Sequence, residues 1–332
     1  MRSCFKYFVL LFCINFIEGA FRCDYKYSAA AKGWFKYFVV PATWYDARLR
    51  CTLEGAVLAS PITLEIQFEM MNIIKKSTLK QEIFTGIHAT LSQGDYYTVD
   101  GTPLSNIPVT WAANEPDNKA NKESCITLNG NGEVADRPCE DTRPYVCYRP
   151  ENPKVEVNEC GTVDPEYHLD PKTNQCYKFH RVARNFSRAA FACTAEGGHL
   201  AIINNDTEAK VLTEIFSKVP RNEILVGRPE TWKEVAFIGF YDWGERGDWR
   251  TINGETLSEA GYDKFYTGEP NGANVAEFCG SIYRNGLLND LWCDKEFTFI
   301  CEKNPHYPPV CRFDEGYTEV DGTTNRNDFS QH

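Results

Sequence analysis

The sequence predicts an α+β protein built from two tandem copies of one domain, each with helices first and short strands and long loops after. Three observations carry this. Cys125, Cys139 and Cys147 recur as Cys279, Cys293 and Cys301, each displaced by 154 residues, and Glu115-Pro116-Asp117 recurs as Glu269-Pro270-Asn271 at the same displacement. One offset shared by six landmarks indicates a duplicated domain. A length of 332 residues suits two domains of about 150 residues each. The chain is 42% hydrophobic and 24% charged, which excludes a disordered or fibrous protein.

Residues 1–20 read as a secretory signal peptide. Arg2 and Lys6 give a positive start, Phe8 to Phe16 is apolar, and Gly19-Ala20 offers a cleavage site. That run is too short to span a bilayer, and no later stretch is long enough, so no membrane span is expected and the product is placed outside the cell. Cys4 and Cys13 leave with the leader. The other twelve of the 14 cysteines then form an even set, as a disulfide framework in a secreted chain requires. No C-x-x-C pair supports a zinc ribbon or a thioredoxin-type site. With 46 acidic residues against 35 Lys and Arg, the net charge of −11 argues against nucleic-acid binding through a basic face. The small clusters Lys75/Lys76/Lys80 and Arg181/Arg184/Arg188 read as solvated helix faces.

The first copy is assigned to residues 21–149. Thr43-Trp44-Tyr45-Asp46 resembles a capping box opening a helix that carries Cys51 and stops near Gly55. Ile66, Met70, Ile73 and Ile74 mark the core face of a second helix. Ile83 to Ile87 is a short apolar run of strand type. Arg149-Pro150-Glu151-Asn152-Pro153 opens a linker assigned to 150–159. In the second copy, 160–304, Asn185 holds the equivalent cap before Cys193, and Gly197-Gly198 closes the helix. Ala236 to Phe240 repeats the strand. Cys51 and Cys193 differ by only 142 residues, so the second copy carries about a dozen extra residues, placed in Pro220 to Val235. Residues 305–332 read as a poorly ordered tail. Asn185 and Asn205 head glycosylation sequons.

The chemistry concentrates in the second copy. Glu269, Asn271, Glu277, Asn289 and Asp290 are oxygen donors near one cysteine pair. Calcium takes 6–8 oxygen ligands and suits this set, whereas zinc would want His or Cys. A Cys279–Cys293 disulfide would hold Glu277 near Asn289 and Asp290, and Pro270 is a candidate cis residue that aims its neighbours. No H-E-x-x-H or G-x-S-x-G motif is present. Glu269 and Glu277 lack the apolar pocket that a glycosidase acid needs, so an enzyme is not expected.

These residues resemble the C-type lectin family. The family pattern is met by Glu269-Pro270-Asn271, Glu277, Cys279, Asn289-Asp290, Cys293 and Cys301, with Phe237-Ile238-Gly239-Phe240 similar to its core strand. One departure is Leu288, where the family usually has Trp. The resemblance covers both copies, and the tandem arrangement is similar to the dual-domain immulectins of insect haemolymph. It implies two helices, a small antiparallel sheet and disulfide-pinned loops in each copy. It implies calcium held by the five side chains of the second copy. Glu269 and Glu277 would accept hydrogen bonds from two sugar hydroxyls, and Asn271 and Asn289 would donate to them. Glu-Pro-Asn goes with mannose-type sugars in this family.

In the first copy Glu115, Asp117, Glu123 and Asp136 would bind calcium weakly, because Ala135 removes a ligand and both amide donors are lost. Family pairing joins Cys51–Cys147, Cys125–Cys139, Cys193–Cys301 and Cys279–Cys293, with Cys160–Cys176 closing a hairpin. Cys23 and Cys311 either bridge the two ends of the chain, the favoured pairing, or join separate chains. Trp243, Trp249 and Trp292 are expected to pack the loop core, while Trp232 lies in the insertion. The expected role is a secreted, calcium-dependent, pattern-recognition lectin for mannose-type or microbial cell-wall glycans in innate immunity, with other immune proteins or a second copy as further partners. The competing reading is a protein-binding module of the same fold that needs no sugar.

Overall fold

The computed structural model describes residues 20–152, 156–225, 232–244, 247–272 and 277–312. The leader, except Ala20, and the tail beyond Arg312 lie outside them. No helix among the described residues is long and apolar enough to cross a membrane.

In the first copy β1 (Ala20–Arg22), β2 (Lys26–Ser28) and β3 (Gly33–Ala42) precede α1 (Trp44–Leu53), β4 (Val57–Leu58) and α2 (Leu64–Lys76). Then come β5 (Ile83–His88), β6 (Tyr97–Thr98), β7 (Thr110–Trp111), β8 (Glu123–Leu128), β9 (Glu133–Pro138) and β10 (Arg143–Pro150). The second copy repeats the plan with β11 (His168–Asp170), β12 (Gln175–Arg184), α3 (Phe186–Ala195), β13 (His199–Leu200) and α4 (Asp206–Ser217). It continues through β14 (Val235–Asp242), β15 (Trp249–Thr251), a short α5 (Leu257–Ala260), β16 (Glu277–Tyr283), β17 (Leu288–Trp292) and β18 (Phe297–Lys303), and β19 (Val310–Arg312) closes the described chain. Each copy therefore opens on strands, where the periodicity suggested helices. β3 and β12 pair with the last strand of their own copy, β10 and β18, a long-range contact that local patterning does not carry. The sheets are antiparallel except where β5 runs along β10, β7 along β9 and β14 along β18. Such parallel neighbours need a long crossover, which the loops and hairpins between them supply.

The helices start as their sequence dictates. Thr43 Oγ1 accepts from the Asp46 amide and Asn185 Oδ1 from the Arg188 amide. Asn205 Oδ1 caps α4 by accepting from Thr207 and Glu208. The Asp46 carboxylate pairs with Arg188 of the other copy. On α2, Ile66, Met70 and Ile74 are buried as a stripe. The extra length of the second copy falls between α4 and β14, residues 218–234, against 77–82 between α2 and β5. Residues 226–231 of it lie outside the described set.

Six disulfides join Cys51–Cys147, Cys125–Cys139, Cys160–Cys176, Cys193–Cys301, Cys279–Cys293 and Cys23–Cys311. The last one changes the picture of the chain ends. β1 pairs with β19, and the Cys23 amide donates to the Pro309 carbonyl at 2.9 Å. Residues 305–312, read as a loose tail, therefore return to the first copy. The linker is also partly ordered, since β10 runs through Pro150 and Tyr27 donates to Glu151 at 2.8 Å.

The two copies meet through α1 and α3. Arg50 lies over the Phe191 ring at 5.5 Å, and Arg22 donates to the Ala195 carbonyl at 2.8 Å. Leu53 packs on the core of the second copy and Val163 on that of the first. Gly55 and Gly197 end the two helices at φ 77° and 86°, where any side chain would be strained. A Cβ at Gly197 would lie 2.4 Å from Pro308, so this helix end also needs the bare backbone.

Each copy buries one glutamate in a cage of partners beside this interface. Glu54 accepts from Lys36 at 2.9 Å, Arg50 at 2.7 Å and Tyr25 at 2.9 Å. Glu196 faces Lys178 at 2.9 Å, His180 at 3.0 Å and Tyr167 at 2.9 Å. His180, Glu196 and Cys301 cluster in the geometry of a metal group, but Cys301 is bonded to Cys193 and has no thiolate to offer.

The second core also holds a carboxyl pair, Glu208 and Glu302, bonded by the Tyr177 hydroxyl and the Ile202 amide respectively. The first copy has Ile66 and Tyr148 at these positions. Burial, reinforced by the charge of Glu208, pushes the Glu302 carboxyl from 4.5 up to about 8. Between those values the folded chain binds the extra proton, so this stabilisation is complete at acid pH and is lost as pH rises through about 8. Glu302→Gln keeps an acceptor for Ile202 and removes the titration. Thermal unfolding of the full chain in chelator should weaken from pH 5 to 8 in the wild type and less so in the variant; parallel curves would refute the assignment.

Candidate calcium site

The site grows from the β16–β17 hairpin. Glu277 opens β16, and Asn289 and Asp290 lie opposite Ser281 and Gly280 on β17. All three are buried, at 5%, 2% and 2% exposure, although two carry carboxylates. Such burial needs partners or a cation. The Cys279–Cys293 bridge ties this hairpin to the segment after β17. The preceding loop brings in Glu269 and Asn271 around a cis Glu269–Pro270 bond.

Asp290 organises the loop. Its two carboxylate oxygens accept from the backbone amides of Asn271 at 3.2 Å and Gly272 at 2.8 Å. Glu269 is half-buried, and its Oε2 is buried with no hydrogen-bond partner. Burial first, and the nearby Asp290 second, raise the Glu269 carboxyl above the usual range. Two crowded carboxylates and an orphaned buried oxygen are the signature of a place that accepts a cation. An oxygen-only donor set of carboxylates and amides fits calcium. Asn289 Nδ2 donates inward, to Asp290 O at 2.7 Å and Ser281 Oγ at 3.2 Å. The Asp290 carbonyl can only accept, so it fixes this amide orientation. Ligation through Oδ1 is compatible with it, whereas donation to an outside hydroxyl requires the side chain to turn.

Asn271, Glu277 and Asp290 line an open cleft of about 310 Å³ together with Asp242, Trp249 and Phe278, and Glu269 and Asn289 lie behind this lining. Asp242 was not singled out in the sequence. It ends β14 and binds the Gly244 and Gly247 amides at 3.1 and 2.9 Å, and only its place after the Phe237–Phe240 strand could have marked it. Trp249 packs on Phe240 and Phe265, as expected of a loop-core residue. Trp292 is half-buried under the Lys295 ammonium at 3.4 Å. Trp243 differs: it is 48% exposed and stacks on Tyr241 outside the core. Leu288 is buried in the core, so its departure from the usual Trp is a matter of packing.

The first copy keeps the loop and changes its chemistry. Glu115–Pro116 is also cis, and Asp136 accepts from the Asp117 and Asn118 amides at 3.2 and 3.0 Å. Carboxylate oxygens of Glu115, Asp117 and Asp136 lie within 4.8 Å of one another. Glu123 is buried and its Oε2 accepts from the Lys119 amide at 2.9 Å. Burial, with Asp117 and Asp136 adding to it, raises its carboxyl. Arg137, which stands opposite Cys125 where Leu291 stands opposite Cys279, donates to Glu115 at 2.7 Å and to Glu82 at 3.0 Å. This guanidinium is an internal cation, and sequence reasoning missed it because nothing local links Arg137 to a loop twenty-two residues earlier.

The model of the Lectin C-type domain matches residues 40–149 and again 182–303. The chain belongs to the C-type lectin family. This C-type lectin is 37% identical over 142 residues to the hemolymph lipopolysaccharide-binding protein of Periplaneta americana, covering 42% of the chain and 53% of that relative. It is 24% identical over 270 residues to C-type mannose receptor 2 of Homo sapiens, 79% of the chain and 17% of the receptor. The hepatic lectin of Gallus gallus matches at 28% over 39% of the chain and 55% of its own length. The chain thus spans about half or less of these curated relatives. Among solved structures, the mouse scavenger receptor C-type lectin carbohydrate-recognition domain aligns with 42% of the chain and 96% of that domain, at 25% identity and a TM-score of 0.35. The named relatives are a lipopolysaccharide-binding protein, a mannose receptor and a lectin.

Asp290→Ala would strand the amides of Asn271 and Gly272. Denaturant unfolding of the full lectin in chelator should show a loss of about 1–3 kcal/mol. An unchanged midpoint would mean that the loop does not depend on this carboxylate.

Proposed function

We propose that this lectin is a secreted, calcium-dependent carbohydrate-binding protein whose second domain takes mannose-type sugars on microbial surfaces. The observation that carries the reading is a cleft lined by Asn271, Glu277 and Asp290, with Glu269 next to its Pro270 wall and one buried Glu269 oxygen left without a partner. These five side chains would hold calcium, which when bound supplies a cation for two vicinal sugar hydroxyls. Glu269 and Glu277 accept hydrogen bonds from those hydroxyls, and Asn271 donates to one of them. Asn289 joins once its amide turns outward. The resemblance to a lipopolysaccharide-binding haemolymph protein supports microbial glycans as targets and a place in innate immunity. Six disulfides fit an oxidising, extracellular setting. Of the two sequons, Asn205 is exposed and Asn185 half-buried, which favours Asn205 as a glycosylated position.

The test is retention of the full chain on immobilised mannan in calcium, then in EDTA, with mannose and galactose as competitors. Release by EDTA and by mannose, and not by galactose, is the expected outcome. Retention indifferent to EDTA, or none from a folded protein, would sink the sugar reading and favour a protein-binding module, a role with which the inward-turned Asn289 amide is compatible.

The first domain is a weaker calcium site in this proposal. Glu115, Asp117, Glu123 and Asp136 remain, but Arg137 already neutralises Glu115 and Ala135 offers no side-chain oxygen. A calcium titration of the full chain should show one strong site. Glu277→Gln should abolish it, while Glu123→Gln should leave it within about twofold, because a lost charge-assisted contact matters only where the cation binds. Equal effects of the two substitutions would overturn this ranking of the domains.

A further inference from the structure

The connection that lengthens the second domain ends beside the sugar site. Trp232 meets the Tyr283 ring edge-on, with centroids 5.5 Å apart at 84°. Tyr266 packs on the same ring at 4.9 Å. This aromatic group is continuous with the calcium loop in two ways. Burial first, and the nearby Glu269 carboxylate second, raise the Tyr283 hydroxyl above its usual range. The Glu269 amide donates to the Tyr266 carbonyl at 2.9 Å. Trp232 and Tyr266 nonetheless remain 48% and 43% exposed, so their rings are not used up in holding the core.

The first domain provides the contrast. At the offset of 154 residues it has Asn129 for Tyr283 and Ala112 for Tyr266. Its connection from α2 to β5, residues 77–82, is too short to supply a counterpart of Trp232. The aromatic wall is therefore confined to the domain that keeps Glu-Pro-Asn. Were the wall needed only to pack this fold, the first domain would need it too.

We propose that Trp232 and Tyr266 form a second sugar subsite, which takes the apolar face of the pyranose next to the terminal residue held at Glu269, Asn271 and Glu277. The inference rests on the sugar-binding reading of that site. Aromatic rings with one exposed face suit a ring that is apolar on its C–H face and polar at its rim, since stacking covers the face and leaves the hydroxyls in water. The terminal sugar supplies recognition by hydrogen bonding, and the wall supplies preference for chain length.

The experiment measures the affinity of the full chain in calcium for methyl α-mannoside and for linear mannotetraose, in the wild type, Trp232→Ala and Trp232→Phe. The wild type should bind the tetrasaccharide more tightly than the monosaccharide. Trp232→Ala should lose about tenfold for the tetrasaccharide and stay within about twofold for the monosaccharide, and Trp232→Phe should retain most of the preference. Unchanged monosaccharide affinity doubles as the control for folding. An affinity ratio that Trp232→Ala leaves unaltered, or a wild type with no preference for the longer sugar, would overturn the subsite alone. A wild type that binds neither sugar in calcium would overturn the primary reading and the subsite with it.

Discussion

The disulfide from the first helix to the last strand is the constraint on which each domain depends. Cys51–Cys147 and Cys193–Cys301 span 96 and 108 residues, nearly a whole domain. Closing a loop of that size restricts the unfolded chain by about 4–5 kcal/mol in the entropic account. The need is clear from what lies inside the loop. Long, loop-rich segments such as 89–122 and 252–272 bury few apolar side chains of their own, so apolar contact alone does not repay their ordering. They are held from below, by a hairpin with its own bridge, and from within, by Asp136 or Asp290 taking up backbone amides. Order at the site is thus borrowed from the frame.

The frame and the site have diverged independently. At the offset of 142 residues, Tyr25, Lys36 and Glu54 of the first domain recur as Tyr167, Lys178 and Glu196, with the same contacts. A buried carboxylate cannot lose one of its cations without becoming an uncompensated charge, which makes such a cage intolerant of change. The loops carry no such penalty. There Asn289 is matched by Ala135, Leu291 by Arg137 and Tyr283 by Asn129. One domain gathers acidic groups beside an open cleft, and the other answers part of the same charge with a guanidinium of its own.

Much of this was legible in the sequence, for a physical reason. Cysteines, a proline flanked by polar residues and oxygen donors keep their spacing because bonds and ligands demand it, and a duplicated chain prints that spacing twice. The helices were legible because Thr43, Asn185 and the Ile66–Met70–Ile74 stripe act locally. What escaped is what the chain decides at long range. β3 and β12 carry no clean alternation, since each runs from a buried to an exposed end against a strand about a hundred residues away. Arg137 and Tyr283 gain meaning only from the acidic residues they meet in space. Residues 305–312 look like a proline-rich tail until the strand they pair with, at the opposite end of the chain, is in view.

That pairing has a mechanical side. Cys23 and Cys311 are bonded across a separation of 288 residues, so a pull applied outside them travels through one covalent link. Both domains hang in a closed ring that the load bypasses. A lectin that grips a particle in flowing fluid is tugged at its sites and at whatever holds its ends. Here the end-to-end tension reaches neither core. A single proteolytic cut in the segment 150–159 would likewise open the ring without parting the two halves.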